Sequence, residues 1–205
     1  MLNCQNEMVE MKILITGANF NNKGAQSMLF IAMDELRKRY PGAEIYFETN
    51  EEIDFSNYKF KTIGHSIEAK DIALNNHAFV SSLVRTGKDA YNRIFKKRKI
   101  FWPNDEIKKT MEIVDMVIDI SGYCIGSNWN DYIHNLYIKN IQLARKYELP
   151  MYIMPQSFGP FDYDGNRRHW IDDIRKEFQY PKVIFARERK GYEYLHNKLG
   201  LNSVC

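Results

Sequence analysis

The chain has 205 residues, of which 44% are hydrophobic and 27% are charged. This composition lies in the globular range, which excludes a disordered or collagen-like protein, and the length suffices to bury a core without disulfide staples. The formal net charge of +3 is too small to indicate nucleic-acid binding by itself.

The cysteines and the hydropathy pattern exclude further classes. Cys4, Cys124 and Cys205 are far apart and form no Cys-x-x-Cys motif, so neither a disulfide framework nor a zinc site is expected. No apolar run has the length of a signal-peptide core or of a membrane span, which takes about 20 residues. We therefore expect a cytoplasmic protein whose residues 1–10 form a loose tail.

The first predicted elements form a β-loop-α-β unit. Residues 12–16 (KILIT) are a short apolar run that stops at Gly17, as is typical of a buried strand. After the loop GANFNNKG, apolar residues recur with the spacing of an amphipathic helix, which Pro41 and Gly42 end. Residues 44–48 (EIYFE) form the second strand, which is expected to lie parallel to the first.

The alternation of strand and helix returns three times in the second half. Predicted strands cover residues 115–120, 151–154 and 183–186, and predicted helices follow them at residues 131–147, about 165–178 and about 189–199. This order predicts an α/β fold with a Rossmann-like, doubly wound parallel sheet. Ligands are then expected at the carboxyl ends of the strands.

The stretch between residues 53 and 112 departs from this alternation of strand and helix. A short strand near residues 60–63 precedes a helical region from residue 75 to about 97 and a helix near 105–114. We interpret residues 65–112, approximately, as a helical insertion that lies over the sheet.

The last residues indicate a longer protein. Gly200 closes a helix, and residues 201–205 (LNSVC) resemble the first residues of another strand. We therefore expect residues 11–205 to be the N-terminal domain of a longer chain whose C-terminal domain is absent. The alternative is a chain that pairs a short terminal strand.

Three polar loops follow predicted strands, so they are expected at the same edge of the sheet. We call residues 17–24 the first loop, residues 121–130 the second and residues 155–163 the third. The first loop precedes a helix, whose free N–H groups favour a phosphate or carboxylate, although it matches neither the dinucleotide fingerprint nor the Walker motif. The alternative is that Asn19, Asn21 and Asn22 only cap and turn the backbone. Several such loops together predict a ligand cleft.

Four motifs resemble, in order and spacing, those of the polysaccharide pyruvyl transferase family. They are GANFNNKGAQSML, DISG after a hydrophobic strand, PQSFGPF after the next strand and ARERKGYEYL after the last. The resemblance runs from about Lys12 to Leu199. It implies two Rossmann-type halves that face each other across a cleft, as in GT-B glycosyltransferases, with this chain as the first half.

The resemblance also implies a reaction. Members of the family transfer the pyruvyl group of phosphoenolpyruvate to sugar hydroxyls as a ketal, so we expect action on a cell-surface polysaccharide or its lipid-linked precursor during exopolysaccharide biosynthesis. The expected partners are phosphoenolpyruvate and a glycan acceptor, without cofactor, metal or nucleic acid. This half would chiefly hold the acceptor, and it is expected to be inactive alone because a cleft enzyme takes its reacting groups from both halves.

The expected substrate-binding residues lie in or beside the three loops and at the end of the last strand. They are Asn21, Asn22, Gly24, Gln26, Ser121, Gly122, Gln156, Ser157, Gly159 and Arg187.

Arg187 suits the donor because its planar guanidinium binds a carboxylate or phosphate with two parallel hydrogen bonds. Its alternative role is an ordinary ion pair with Glu188, Asp172 or Asp173. The sequence identifies no general acid or base, and His134 and His169 are candidates by residue type alone.

Two positions depart from the family pattern. Gly191 stands where the family usually has serine, and a single glycine, Gly122, follows Asp119 where the family is often glycine-rich. Two alternatives therefore stay open, since fold does not decide function: a GT-B glycosyltransferase that uses a nucleotide sugar, and a non-catalytic glycan-binding module.

One segment has a basic amphipathic pattern. Between Arg85 and Lys99 seven basic residues stand against one acidic residue, Asp89, with aromatic residues interleaved. The pattern predicts contact of Arg93 to Trp102 with an anionic face of the inner membrane, or binding of an anionic glycan. The alternative is a solvated basic helix face packed by its aromatic residues.

Overall fold

The computed structural model describes residues 11–75 and 105–205. The predicted tail, most of the helix predicted from residue 75 and the basic segment Arg93 to Trp102 lie outside the described residues.

Six parallel strands form one sheet in the order β3-β2-β1-β4-β5-β6. The strands are β1 (Lys12–Thr16), β2 (Glu44–Glu48), β3 (Lys61–Ile63), β4 (Met116–Asp119), β5 (Met151–Gln156) and β6 (Val183–Ala186). From β1 the chain proceeds outward to β2 and β3 on one side, then returns to β4 and proceeds to β5 and β6 on the other. The predicted Rossmann-like parallel sheet is confirmed, and its topological switch point lies between β1 and β4.

Helices cover both faces of this sheet. They are α1 (Lys23–Arg39), α2 (Ile67–Asn75), α3 (Glu106–Met111), α4 (Asp131–Lys146), α5 (Trp170–Glu177) and α6 (Arg189–Tyr192), which continues as a π-helical turn over Glu193–Lys198. A short 3₁₀ turn, Gly165–Arg167, precedes α5. Among the described residues no helix is both long and apolar enough to cross a membrane.

Side chains along each strand point alternately to the two faces of the sheet, so the core has two layers. Ile13 and Ile15 pack with the buried side chains of α1, whereas Leu14 packs with α2 to α5 on the opposite face. Neighbouring side chains of a strand point to opposite faces, so a central strand needs apolar residues at every position. This explains the unbroken apolar run of β1.

Two elements differ from the sequence-based prediction. β5 extends two residues further, to Gln156, because a register irregularity between Ile153 and Gln156 accommodates Pro155, which has no N–H to donate to a regular ladder. The first helix after β3 begins at Ile67 rather than at residue 75. Its buried face includes Lys70 beside Ala69 and Ala73, and this charge interrupts the apolar periodicity by which a helix is recognised.

The residues after Gly200 pair with the outer strand. Val204 forms a parallel bridge with Ile184 of β6, supported by hydrogen bonds from Ile184 N to the Ser203 carbonyl and from Cys205 N to the Ile184 carbonyl, both at 2.8 Å.

Candidate functional site

Asp119 joins the ends of β1 and β4 at the switch point. Its fully buried carboxylate accepts hydrogen bonds from the Thr16 hydroxyl at 2.8 Å, the Ser121 hydroxyl at 2.9 Å and the Ser121 N–H at 3.1 Å. Gly17 has a φ of +84°, and a Cβ at this position would lie 2.0 Å from Ser121 Oγ. Glycine is therefore needed for the first and second loops to approach this closely.

A buried polar chain continues from Asp119 to the end of β5. Burial and the nearby charge of Asp119 raise the pKa of the Tyr137 hydroxyl, which accepts a hydrogen bond from Gln156 Nε2. Gln156 is fully buried, and its Oε1 accepts no hydrogen bond from any residue that the structure describes. The side chain thus lies beneath the loops, and direct binding of substrate by Gln156 stays a prediction.

The second and third loops run side by side. Ser157 N donates to the Gly122 carbonyl at 2.8 Å, and Gly159 N donates to the Ile125 carbonyl at 2.9 Å. A Cβ at Gly126 would lie 2.6 Å from the Gly159 carbonyl oxygen, so the two backbones are in direct contact. These loops extend the sheet beyond its strands and present Ser121, Gly122 and Ser157 at its carboxyl edge.

The asparagines of the first loop bind the protein itself. Asn22 caps α1 by accepting from the N–H groups of Gly24 at 2.8 Å and Ala25 at 3.3 Å, and Asn19 accepts from Asn22 N at 2.8 Å. Capping is thus one role of this loop. Gln26 accepts from Lys23 Nζ at 3.1 Å.

A carboxylate of the chain occupies three further donors of the first loop. Glu51 accepts from the Phe20 N–H at 2.7 Å, the Asn21 N–H at 3.2 Å and Asn21 Nδ2 at 2.6 Å. The loop therefore binds a carboxylate of the segment after β2 through residues that precede α1, whereas Asn22 caps the N–H groups of Gly24 and Ala25 at the helix start. A substrate anion that uses Asn21 would have to displace Glu51.

Arg187 lies at the end of β6, next to the third loop. Its backbone N–H donates to the Gln156 carbonyl at 2.9 Å, and its Nη2 donates to the Ser157 hydroxyl. Its Nε lies 3.0 Å from Glu188 Oε1, which also accepts from Ser157 Oγ at 2.6 Å. The Ser157 hydrogen bond and the Arg187 charge lower the pKa of Glu188. Of the predicted alternative partners of Arg187, the structure shows Glu188.

Gly191 has a packing role that the sequence does not reveal. The residue is buried where the start of α6 approaches the third loop, and a Cβ there would lie 3.2 Å from Phe158 Cβ. A serine at this position would press on Phe158. The glycine therefore allows α6 to pack closely on the third loop.

The sequence analysis missed a buried ion pair at the end of β2. Lys70 of α2 is 1% exposed, forms an ion pair with Glu48 and donates to Asn140 Oδ1 of α4. Glu48 follows the buried strand residues of β2 and is itself buried. The sequence contains one indication of this pair, because Lys70 lies on the same helical face as Ala69 and Ala73. This face can be recognised only when the bounds of α2 are known.

The predicted residues thus fall into two groups. Gly122, Gln156, Ser157 and Arg187 are joined by hydrogen bonds at the ends of β4, β5 and β6, with Ser121 next to Gly122 and Gly159 in the third loop. The residues of the second group, Asn21, Asn22, Gly24 and Gln26, lie at or just before the start of α1. Met28 of α1 approaches Gly122, where a Cβ would lie 2.9 Å from Met28 Cε. No group of three or more His, Cys, Asp or Glu side chains in residues 11–75 and 105–205 is arranged to hold a metal ion.

Burial makes stability depend on the protonation of Asp119. Removal from water raises its pKa to about 6, whereas an aspartate in an unfolded chain titrates near about 3.9. Between these values the folded state binds more protons than the unfolded state, so this group's contribution to stability falls as the pH rises from about 4 to about 6. Burial also lowers the pKa of His134 to about 4, and this group acts in the opposite direction over an overlapping range.

We therefore expect Asp119→Asn to become more stable relative to the wild type as the pH rises through this window. The amide cannot lose a proton, so the variant lacks the fall in stability, whereas the contribution of His134 is common to both proteins and cancels. Urea unfolding of both proteins between about pH 4 and pH 7 measures the difference. A difference that stays constant across the window contradicts a raised pKa of Asp119.

Comparison with known proteins identifies a family. A family model described as polysaccharide pyruvyl transferase matches residues 22–205. A search of curated proteins finds no match. The matched range includes the second and third loops, the end of β6 and the first loop from Asn22 onward.

Proposed function

The chain belongs to the polysaccharide pyruvyl transferase family, and on this basis we propose that the full-length protein transfers a pyruvyl group from phosphoenolpyruvate to two hydroxyls of a sugar. The product is a cyclic ketal, and inorganic phosphate is released. The observation that carries the proposal is the hydrogen-bonded arrangement of Arg187, Ser157 and the second loop at the carboxyl edge of a Rossmann-like sheet.

The reaction needs cationic and polar groups in one place. Two sugar oxygens form bonds to the enol carbon, the bond from this carbon to the phosphate oxygen breaks, and the methylene carbon takes up one proton. Of the two hydroxyl protons released, one balances the proton that the methylene carbon takes up and the other leaves with phosphate or water. The developing negative charge on phosphate favours a fixed cation nearby, which is the role that we assign to Arg187.

The remaining loop residues are assigned to the acceptor. Backbone and hydroxyl groups of Ser121, Gly122, Ser157 and Gly159 suit neutral sugar hydroxyls, and the start of α1 with Asn21, Asn22, Gly24 and Gln26 forms the neighbouring wall. Gln156 supports these loops from below through Tyr137. We propose that a second Rossmann-type half of GT-B type supplies the opposite wall, so residues 1–205 alone should not turn over.

The acceptor is proposed to be a cell-surface polysaccharide or its lipid-linked precursor, modified in the cytoplasm. The support is the basic pattern of Arg93 to Trp102, which suits an anionic membrane surface and lies outside the described residues. Charge reversal of Lys96, Lys97 and Lys99 should weaken sedimentation with anionic vesicles. Unchanged sedimentation contradicts this part of the proposal.

Phosphate release tests the proposed reaction. The full-length protein is incubated with phosphoenolpyruvate and a candidate glycan, and inorganic phosphate is expected only when both are present. Parallel samples contain a nucleotide sugar in place of phosphoenolpyruvate. Release of nucleotide with no release of phosphate would favour a glycosyltransferase and contradict pyruvyl transfer.

A further inference from the structure

Two histidines of different segments lie beside one carboxylate. His134 is in the first turn of α4, His169 precedes α5, and Nε2 of each ring lies 4.0 Å from Oδ2 of Asp173. This separation is too long for a hydrogen bond. It is short enough for one hydroxyl oxygen to bridge Asp173 and His134 at about 2.8 Å from each.

The ring of His134 is held by aromatic side chains. It stacks on Trp170 with centroids 4.0 Å apart and planes at 9°, and Tyr163 packs against it edge-on with centroids 6.5 Å apart. The Arg167 guanidinium lies over the Trp170 ring and donates to the carbonyl oxygen of Trp129 in the second loop at 3.3 Å. The cluster therefore lies between the second loop and the segment that follows the third, at the edge of the sheet where the candidate site lies.

Two buried polar atoms of this cluster have no partner among the described residues. His134 is 2% exposed and Tyr163 is 8% exposed, and neither His134 Nε2 nor the Tyr163 hydroxyl forms a hydrogen bond within that part of the chain. Buried polar atoms of native proteins are nearly always paired, because an unpaired one costs stability. His169 is exposed and Asp173 is half-exposed, so the cluster reaches the surface beside His134.

We propose that His134, Tyr163, Asp173 and His169 form a subsite that binds hydroxyl groups of an uncharged sugar ring. One hydroxyl bridges Asp173 Oδ2 and His134 Nε2, and a second pairs with the Tyr163 hydroxyl, which has no partner among the described residues. A carboxylate, imidazole rings and a phenol together accept and donate hydrogen bonds, as hydroxyl groups require. The identification of this sugar as part of the glycan acceptor rests on the proposed function.

The chain offers a matched pair of variants for Asp173. Asp172 is its neighbour in the first turn of the same helix, is exposed, and pairs with Arg175 at 2.8 Å instead. Either aspartate, when replaced by alanine, loses the same favourable interaction with the helix dipole. Only Asp173→Ala should weaken sugar binding, by about tenfold or more, since one lost hydrogen bond to a charged group corresponds to at least this factor.

Binding is followed by tryptophan fluorescence, because Trp170 stacks directly on His134. The protein is titrated with the methyl glycosides of glucose, galactose and mannose, and at least one is expected to change the emission saturably. Asp172→Ala should bind this glycoside as the wild type does. If none of the three binds, or if Asp173→Ala binds it with unchanged affinity, the subsite is refuted.

A second pair of variants, at Tyr163 and Tyr180, distinguishes a sugar-binding site from a site that holds a structural water. Tyr163→Phe should weaken sugar binding about tenfold while leaving the melting temperature of the free protein unchanged or higher, because it removes an unpaired buried hydroxyl. Tyr180→Phe is the control, since the single hydroxyl proton of Tyr180 is shared between the Ala144 carbonyl at 3.1 Å and the Leu149 carbonyl at 2.9 Å. This variant should lower the melting temperature and leave binding unchanged. A lowered melting temperature in Tyr163→Phe without weaker binding indicates water only and overturns the proposal.

The same samples separate this inference from the proposed function. Phosphate release without glycoside binding at the cluster would refute the subsite and leave pyruvyl transfer intact. Glycoside binding that requires Asp173, with no phosphate release from phosphoenolpyruvate, would support the subsite and contradict the reaction.

Discussion

Lys70→Ala is expected to lower the free energy of unfolding by about 3–5 kcal/mol, because it leaves the carboxylate of Glu48 buried without its cation. Both side chains are almost completely removed from solvent, at 1% and 4% exposure. Asn140 loses the same partner. Urea unfolding at neutral pH measures the change.

A double-mutant cycle isolates the ion pair from the effect of the cavity. Glu48→Ala, Lys70→Ala and the double variant are compared, and the double variant should lose less stability than the sum of the single variants, since neither charge is then left unpaired. Lys139 is the matched control: its ion pair with Asp71 joins α4 to α2 and is more exposed, so Lys139→Ala should cost about 1 kcal/mol or less. A similar cost at both lysines would contradict this interpretation of Lys70.

Arg187→Ala in the full-length enzyme should lower kcat/KM at least about 10²-fold, which corresponds to about 2.7 kcal/mol for the loss of one donor that stabilises charge in the transition state. The Arg187 side chain is about half exposed, so folding should be nearly unchanged. Arg187→Lys keeps the charge but loses the planar fork, and it should recover only part of the activity.

Arg189 is the control for Arg187. It is two residues away, carries the same charge and is 90% exposed, and it pairs with Glu193 on its own helix. Arg189→Ala should therefore retain nearly full activity. Equal losses in the two variants would indicate a general effect of positive charge, and near-normal activity of Arg187→Ala would refute its assigned role.

Local sequence patterns predict the fold to the extent that each element depends on its own residues. β1, β2 and β6 have the predicted bounds because an apolar run and a following turn define each of them. The helix α1 follows from its apolar spacing, and four of the apolar residues that form this spacing are buried: Ala25, Leu29, Met33 and Leu36. The start of α2 could not be predicted in this way, because its buried face contains a lysine whose partners are 22 and 70 residues away.

The candidate site is predictable in position but not in its bonding. Parallel strands bring the polar loops to one edge, which the order of elements predicts. The sequence does not reveal that Gln156 is buried beneath the loops or that Glu51 occupies the donors of Phe20 and Asn21. These contacts depend on how segments that are far apart in the chain pack against each other. The close packing of Gly17 on Ser121 and of Gly191 on Phe158 also depends on such tertiary packing.

Mass spectrometry of the glycan product tests the central claim most directly. The full-length protein is incubated with phosphoenolpyruvate and glycans that present two neighbouring hydroxyls, and the modified glycan is fragmented to locate the added mass. We predict a gain equal to one pyruvyl ketal on a single sugar residue, dependent on phosphoenolpyruvate and greatly reduced in Arg187→Ala. A glycan that gains a sugar from a nucleotide donor, or that gains no mass while it binds the protein, would contradict pyruvyl transfer.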